Sequence, residues 1–79
     1  MNNFFFESDY DGVERGYETL GICITQCKNH LRRAYEYSFG NDVHADIEQV
    51  IREEGKLSRR KFLGRIYFDG IEFTEEAAE

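Results

Sequence analysis

The spacing of apolar residues changes several times along this chain, and each spacing predicts an element. Asn2 to Phe6 contains three consecutive phenylalanines and then meets SDYDG. That reads as a short strand followed by a turn, with Asp11 near the N-cap of what comes next. Leu20, Ile24, Cys27, Leu31, Ala34 and Tyr35 then recur at intervals of three and four, opposite the polar Gln26, Lys28, Asn29, Arg32, Arg33 and Glu36. This is the stripe of an amphipathic helix. Lys28, Arg32 and Arg33 fall in its second half, where cations complement the helix dipole. Gly40 is a natural stop. Val13 and Tyr17 extend the stripe backwards past Gly16 and Gly21, so the pattern predicts a helix over about 13–38, best defined from residue 20.

A second helix is expected between Asn41 and Gly55. Asn41 or Asp42 can cap it, Val43, Ile47, Val50 and Ile51 form its stripe, and Glu48 stands four residues before Arg52. The last apolar runs flank Asp69-Gly70, a strong hairpin signal. A two-residue turn there puts Phe68 opposite Ile71, Tyr67 opposite Glu72 and Ile66 opposite Phe73. Ile66, Phe68, Ile71 and Phe73 would then share one face. A hairpin alone is marginal, and the phenylalanine strand is the expected neighbour. The predicted fold is a small α+β domain over residues 1–79: an N-terminal strand, two helices and a C-terminal hairpin in an antiparallel sheet. Residues 74–79 are expected to be a frayed acidic tail.

Length adds one constraint. A 79-residue chain is one domain, and at this size folding buries only about 60–65% of the unfolded surface. Seven Phe and five Tyr supply enough apolar area for a folded core all the same. MNNFFFESDYDG has no basic region and no long apolar run, so it reads as neither a signal peptide nor a membrane span. Cys23 and Cys27, the two cysteines, are expected to be reduced thiols in the cytoplasm of a host cell.

Charge changes the picture more. The net charge is −6 and it is segregated. Residues 1–20 carry Glu7, Asp9, Asp11, Glu14 and Glu18 against Arg15. Residues 21–68 hold nine bases against six acids, whereas 69–79 hold Asp69, Glu72, Glu75, Glu76 and Glu79 with no base. Two acidic ends flank a mildly basic middle, which favours basic partners over nucleic acid.

Candidate chemistry is sparse. Cys23, Cys27 and His30 lie along one side of a helix, but structural zinc takes four ligands from paired loops, so no metal or cofactor is expected. No nucleophile elbow, phosphate-cradling glycine loop or HExxH stretch occurs, and an enzyme is not expected. Arg59, Arg60 and Lys61 form the sharpest basic feature. If Ser58 caps a short helix, the order helix, turn, helix, hairpin is that of a winged helix, and these three cations would meet phosphate. The acidic hairpin opposes that reading, because phosphate contact dominates DNA affinity. The acids Glu7, Asp9 and Asp11, with Tyr10 beside them, and Glu72, Glu75 and Glu76 are the candidate partner-binding residues. Should the first strand join the hairpin's sheet, the two sets could merge into one patch suited to an Arg/Lys-lined groove.

The acids of ESDYD and DGIEFTEEAAE around a small lone domain resemble those of small phage-encoded inhibitors, including anti-CRISPR proteins and DNA mimics. The likeness covers the whole chain in size and charge plan and matches no family motif. It implies a non-catalytic inhibitor that occupies a basic surface of a host nucleic-acid-handling protein or CRISPR-type complex. The basic SRRK stretch departs from a pure DNA mimic. Other readings are the winged-helix nucleic-acid binder and a small adaptor or homodimeric module.

Overall fold

Three phenylalanines in a row cannot all face one side of a strand, and their alternation supplies apolar contacts to both faces of an inner strand. In the computed structural model, which describes residues 1–78, β1 (Phe4–Ser8) buries Phe6 and Ser8 beneath a helix and turns Phe5 and Glu7 to the other face. The chain continues through β2 (Glu14–Tyr17), α1 (Leu20–Tyr37), β3 (Val43–Ile51), β4 (Arg59–Phe68) and β5 (Phe73–Ala77). All pairings are antiparallel, and the strand order is β2-β1-β3-β4-β5. The architecture is thus α+β, with one helix laid across one face of a five-stranded sheet.

Helix α1 matches the expected stripe, but it starts later. Thr19 caps it by accepting a hydrogen bond from Ile22 N at 3.2 Å, and residues 14–17, expected to be helical, form β2. Cys23, Cys27, Leu31 and Ala34 are buried. They pack with Phe6, Val43, Ala45, Ile47, Ile66 and Phe68 to form the core.

The second helix does not exist. Residues 43–51 form β3, with Val43, Ala45 and Ile47 buried and His44, Asp46 and Glu48 on the opposite face. Val43, Ile47, Val50 and Ile51 fit a helical period, yet their β-branched side chains suit a strand, and β1 and β4 pair with β3 on both sides. Glu48 is drawn to Arg60 at 3.1 Å, while Arg52 reaches the Asn2 carbonyl at 3.1 Å. Ser58 caps no helix either, because strand β4 begins at Arg59. The winged-helix order is therefore absent.

The hairpin is real but its register differs. Phe68 faces Phe73, Tyr67 faces Thr74 and Ile66 faces Glu75, so the turn spans Asp69 to Glu72. Asp69 Oδ1 accepts hydrogen bonds from Ile71 N and Glu72 N, both at 2.8 Å. This side-chain turn competes with the tight backbone turn that Asp-Gly usually signals. Ile71 is left 90% exposed instead of facing the core. The expected tail is mostly strand, since β5 pairs with β4 as far as Ala77, and Glu79 lies outside the described residues. Nor does β1 border the hairpin: β3 lies between them. Among the described residues, no helix is long and apolar enough to cross a membrane.

Candidate protein-binding surface

The register gathers three connections at one end of the sheet. Ser8, the last residue of β1, lies opposite Ala45 near the start of β3; Val43 lies opposite Phe68, and Phe68 opposite Phe73. The β1–β2 turn, the α1–β3 connection and the β4–β5 turn therefore crowd together. Segments 9–13, 36–42 and 69–72 hold Asp9, Asp11, Glu36, Asp42, Asp69 and Glu72, with no Lys or Arg.

Side-chain hydrogen bonds fix this end. Asp9 Oδ1 accepts from His44 N at 3.1 Å, and Asp9 Oδ2 lies 3.1 Å from His44 Nδ1. Asp11 accepts from Val13 N at 2.9 Å and from Arg15 Nη2 at 3.0 Å. Burial pulls the Asp11 carboxyl up, but the bonds from Arg15 and Val13 and the nearby positive charge outweigh it and hold it below its ordinary value. Backbone bonds from Glu72 and Ile71 hold Asp69 down as well. The turns thus depend on ionised carboxylates.

Apolar groups stand among these acids. Tyr10 stacks on Tyr37 with ring centroids 6.4 Å apart. Tyr35 lies beneath Gly70, where a Cβ would come within 2.4 Å of its ring. Phe39 is 97% exposed and has a φ of +59°. A left-handed conformation costs a bulky residue about 1–2 kcal/mol, and here no burial of the side chain offsets it.

The expected contact residues divide among three places. Asp9, Tyr10, Asp11 and Glu72 lie at this loop end. Glu7 and Glu76 lie on the sheet face away from α1, in a row that crosses all five strands: Glu14, Glu7, Asp46, Arg65, Glu76. Asp46 binds Arg65 at 2.6 Å and Glu14 binds Arg60 at 2.9 Å, leaving Glu7 and Glu76 as further negative charge in the row. Glu75 points to the helix side, where Lys28 Nζ holds it at 3.1 Å. The two acidic sets therefore share a sheet, but β3 and β4 separate β1 from β5.

The basic trio is largely neutralised. Arg60 bridges Glu14 at 2.9 Å and Glu48 at 3.1 Å while lying over the Phe5 ring, and Arg59 binds Glu53 at 3.2 Å. Neither cation is free to meet phosphate without breaking these pairs.

One cluster escaped the sequence reading. Ser8 Oγ lies 2.9 Å from His30 Nε2, and Asp11 Oδ2 lies 3.8 Å from the same nitrogen. The residue types suggest a nucleophile triad, but the geometry does not fit one. Serine and carboxylate address one imidazole nitrogen, whereas a charge-stabilised base needs them on opposite nitrogens. Ser8 is also only 1% exposed. The cluster ties β1 to α1. Cys23 and Cys27 are fully buried, and burial pushes their thiols up to about 11 and about 12, which opposes thiolate ligation of a metal. Among the described residues, no group of three or more His, Cys, Asp or Glu is placed to hold a metal ion.

In the comparisons with known proteins, no family model, no curated protein and no solved structure matches this chain.

Proposed function

We propose that this protein is a non-catalytic inhibitor that docks its acidic loop end, with the adjoining open sheet face, on a basic surface of a host nucleic-acid-handling protein. The observation that carries the reading is the charge of that end: six carboxylates, of which Asp11 is bridged to Arg15, surrounding the exposed Phe39, Ile71, Tyr37 and Tyr10. Acids steer the encounter with a cationic groove, and exposed aromatics supply the apolar contact that makes it last. Proteins that handle nucleic acid present such grooves to phosphate. The strained and exposed Phe39 fits a contact residue, since its conformation costs stability and gains nothing within the fold. A winged-helix reading has lost the helix it needs, and two of the three cations it would use, Arg59 and Arg60, are paired with acids.

The experiment is affinity capture from nuclease-treated bacterial lysate, with partners identified by mass spectrometry. Glu7→Lys, Asp42→Lys, Glu72→Lys and Glu76→Lys, combined, reverse charges that make no hydrogen bond in the fold. Phe39→Gly relieves the backbone while deleting the ring. The expected result is a nucleic-acid-handling partner whose capture falls with salt and is lost in both variants. Capture unchanged by the four reversals would overturn the proposal.

A further inference from the structure

Strand β5 is the outer strand on its side of the sheet, and its free edge borders an apolar groove. Ala78 N donates to Leu63 O at 3.0 Å, and Asp69 N to Glu72 O at 3.4 Å. Antiparallel ladders alternate, so in this register Thr74 and Glu76 also bond towards β4. Phe73, Glu75 and Ala77 therefore turn their N–H and C=O groups outward. The side chains of the same three residues point to the helix face, where a groove of about 320 Å³ runs between α1 and the β4–β5 edge. Leu20, Ile24, Leu63 and Ala77 supply much of its apolar lining. Free backbone groups and an apolar slot thus lie side by side along one edge.

Charge selects the occupant. From Ile66 onward the chain has no Lys or Arg, and β5 with its turn carries Glu72, Glu75 and Glu76. A second copy adding β5 to β5 would oppose glutamate with glutamate, which is destabilising. A basic strand would complement Glu76 on the open face while its alternate side chains enter the groove.

We infer that the β5 edge is a strand-addition site for an extended segment of a partner protein that alternates aliphatic residues with Lys or Arg. The added strand bonds to Phe73, Glu75 and Ala77, its aliphatic side chains fill the slot beside Leu20 and Ile24, and its cations lie over Glu76. This site shares Glu76 with the open face of the proposed inhibitor surface, but it uses the β5 backbone and the helix-side slot instead of the loop end, and it stands without the inhibitor reading.

The test is an NMR titration of the full chain with Ac-Lys-Val-Lys-Leu-Lys-Val-Lys-NH2, and with the same peptide carrying Glu for Lys. The basic peptide should produce saturable shifts at the amides of Phe73, Glu75 and Ala77 and the methyls of Leu20, Ile24 and Leu63. The acidic peptide should produce none. Ala77→Pro removes an outward N–H while leaving the bonds to β4 intact, and should weaken binding by about tenfold or more. Leu20→Lys, at a half-exposed position, places a cation at the slot and should weaken binding as well. Shifts confined to segments 9–13, 36–42 and 69–72, equal binding by both variants, or no saturable shift would each overturn the inference. So would shifts at 73–77 that follow protein concentration without peptide, since the occupant would then be a second copy.

Discussion

Three glycines of this chain invite the same substitution and should answer it with different signs. Gly64 sits where the β3–β4 register shifts, with a φ of +155°. A Cβ there would lie 2.6 Å from the Glu76 carbonyl oxygen and 3.2 Å from Ala77 Cα. Both are backbone atoms of β5, so no side chain can rotate away, and the strand itself must move. Backbone strain costs about 1–3 kcal/mol. Overpacking adds about 1–3 kcal/mol, and reduced freedom in the unfolded chain returns about 0.4–1 kcal/mol. Gly64→Ala should therefore lose about 2–4 kcal/mol, out of a total of about 4–12 kcal/mol for a domain of this length. That corresponds to a fall in Tm of about 8–32 °C. Gly55 has a φ of +74° with open space around it, so Gly55→Ala should cost about 1–2 kcal/mol from conformation alone. Gly21 lies in the first turn of α1 with nothing within 4 Å of the added carbon, so Gly21→Ala should stabilise by about 0.5–1 kcal/mol. Urea unfolding followed by circular dichroism gives all three values. A loss below about 1 kcal/mol for Gly64→Ala, or a ranking with Gly55 above Gly64, would refute the idea that β5 closes tightly on β4 at this point.

Two further outcomes follow from titratable groups. Burial, then the charge of Arg15, lowers the His30 pKa from its ordinary 6.5, so the native state binds fewer protons than the unfolded chain. Stability from this site should be complete above pH 6.5, fall as the pH drops through that value, and level off below the folded-state pKa. His30→Gln should flatten the slope between about pH 5 and 7 in urea midpoints, and an unchanged slope would assign it to other groups. The thiols of Cys23 and Cys27, pushed up to about 11 and about 12, should react with an aromatic disulfide reagent at pH 8 roughly a hundredfold or more slower than in urea-unfolded protein. Rapid labelling without denaturant would show that α1 lifts from the sheet.

The parts of the fold that were legible in sequence are those whose pattern admits one period. From Leu20 onward, Ile24, Cys27, Leu31 and Ala34 have no strand alternative, and the helix is there. Val43, Ile47, Val50 and Ile51 satisfy a helix, while Val43, Ala45 and Ile47 satisfy a strand. The pairing partners that decide between them lie far away in sequence. Strand β2 is only ERGY, too short and too polar to register as apolar alternation, and it exists because β1 offers an edge. The Asp69-Gly70 turn was visible as a turn, but its length depends on a side-chain oxygen. As for the surface, the acids were countable and their faces were not. Glu75 and Glu76 are neighbours in sequence, yet one binds Lys28 on the helix side and the other joins a row on the open face. The charged end emerges only once the last residues of α1 and the 38–42 connection are seen beside the two turns.

The placement of β1 also sets a timetable for folding. Phe6 lies opposite Ile47, with β2, all of α1 and a connection threaded between them. The β1–β2 and β3–β4–β5 hairpins are local, and local hairpins close in about 1–10 µs. Joining them means closing a loop that contains an entire helix, and loop-closure entropy is lost before any β1–β3 bond forms. Closing that loop is therefore the step expected to set the folding rate, so substitutions in the β1–β3 ladder should alter refolding rates measured by stopped flow.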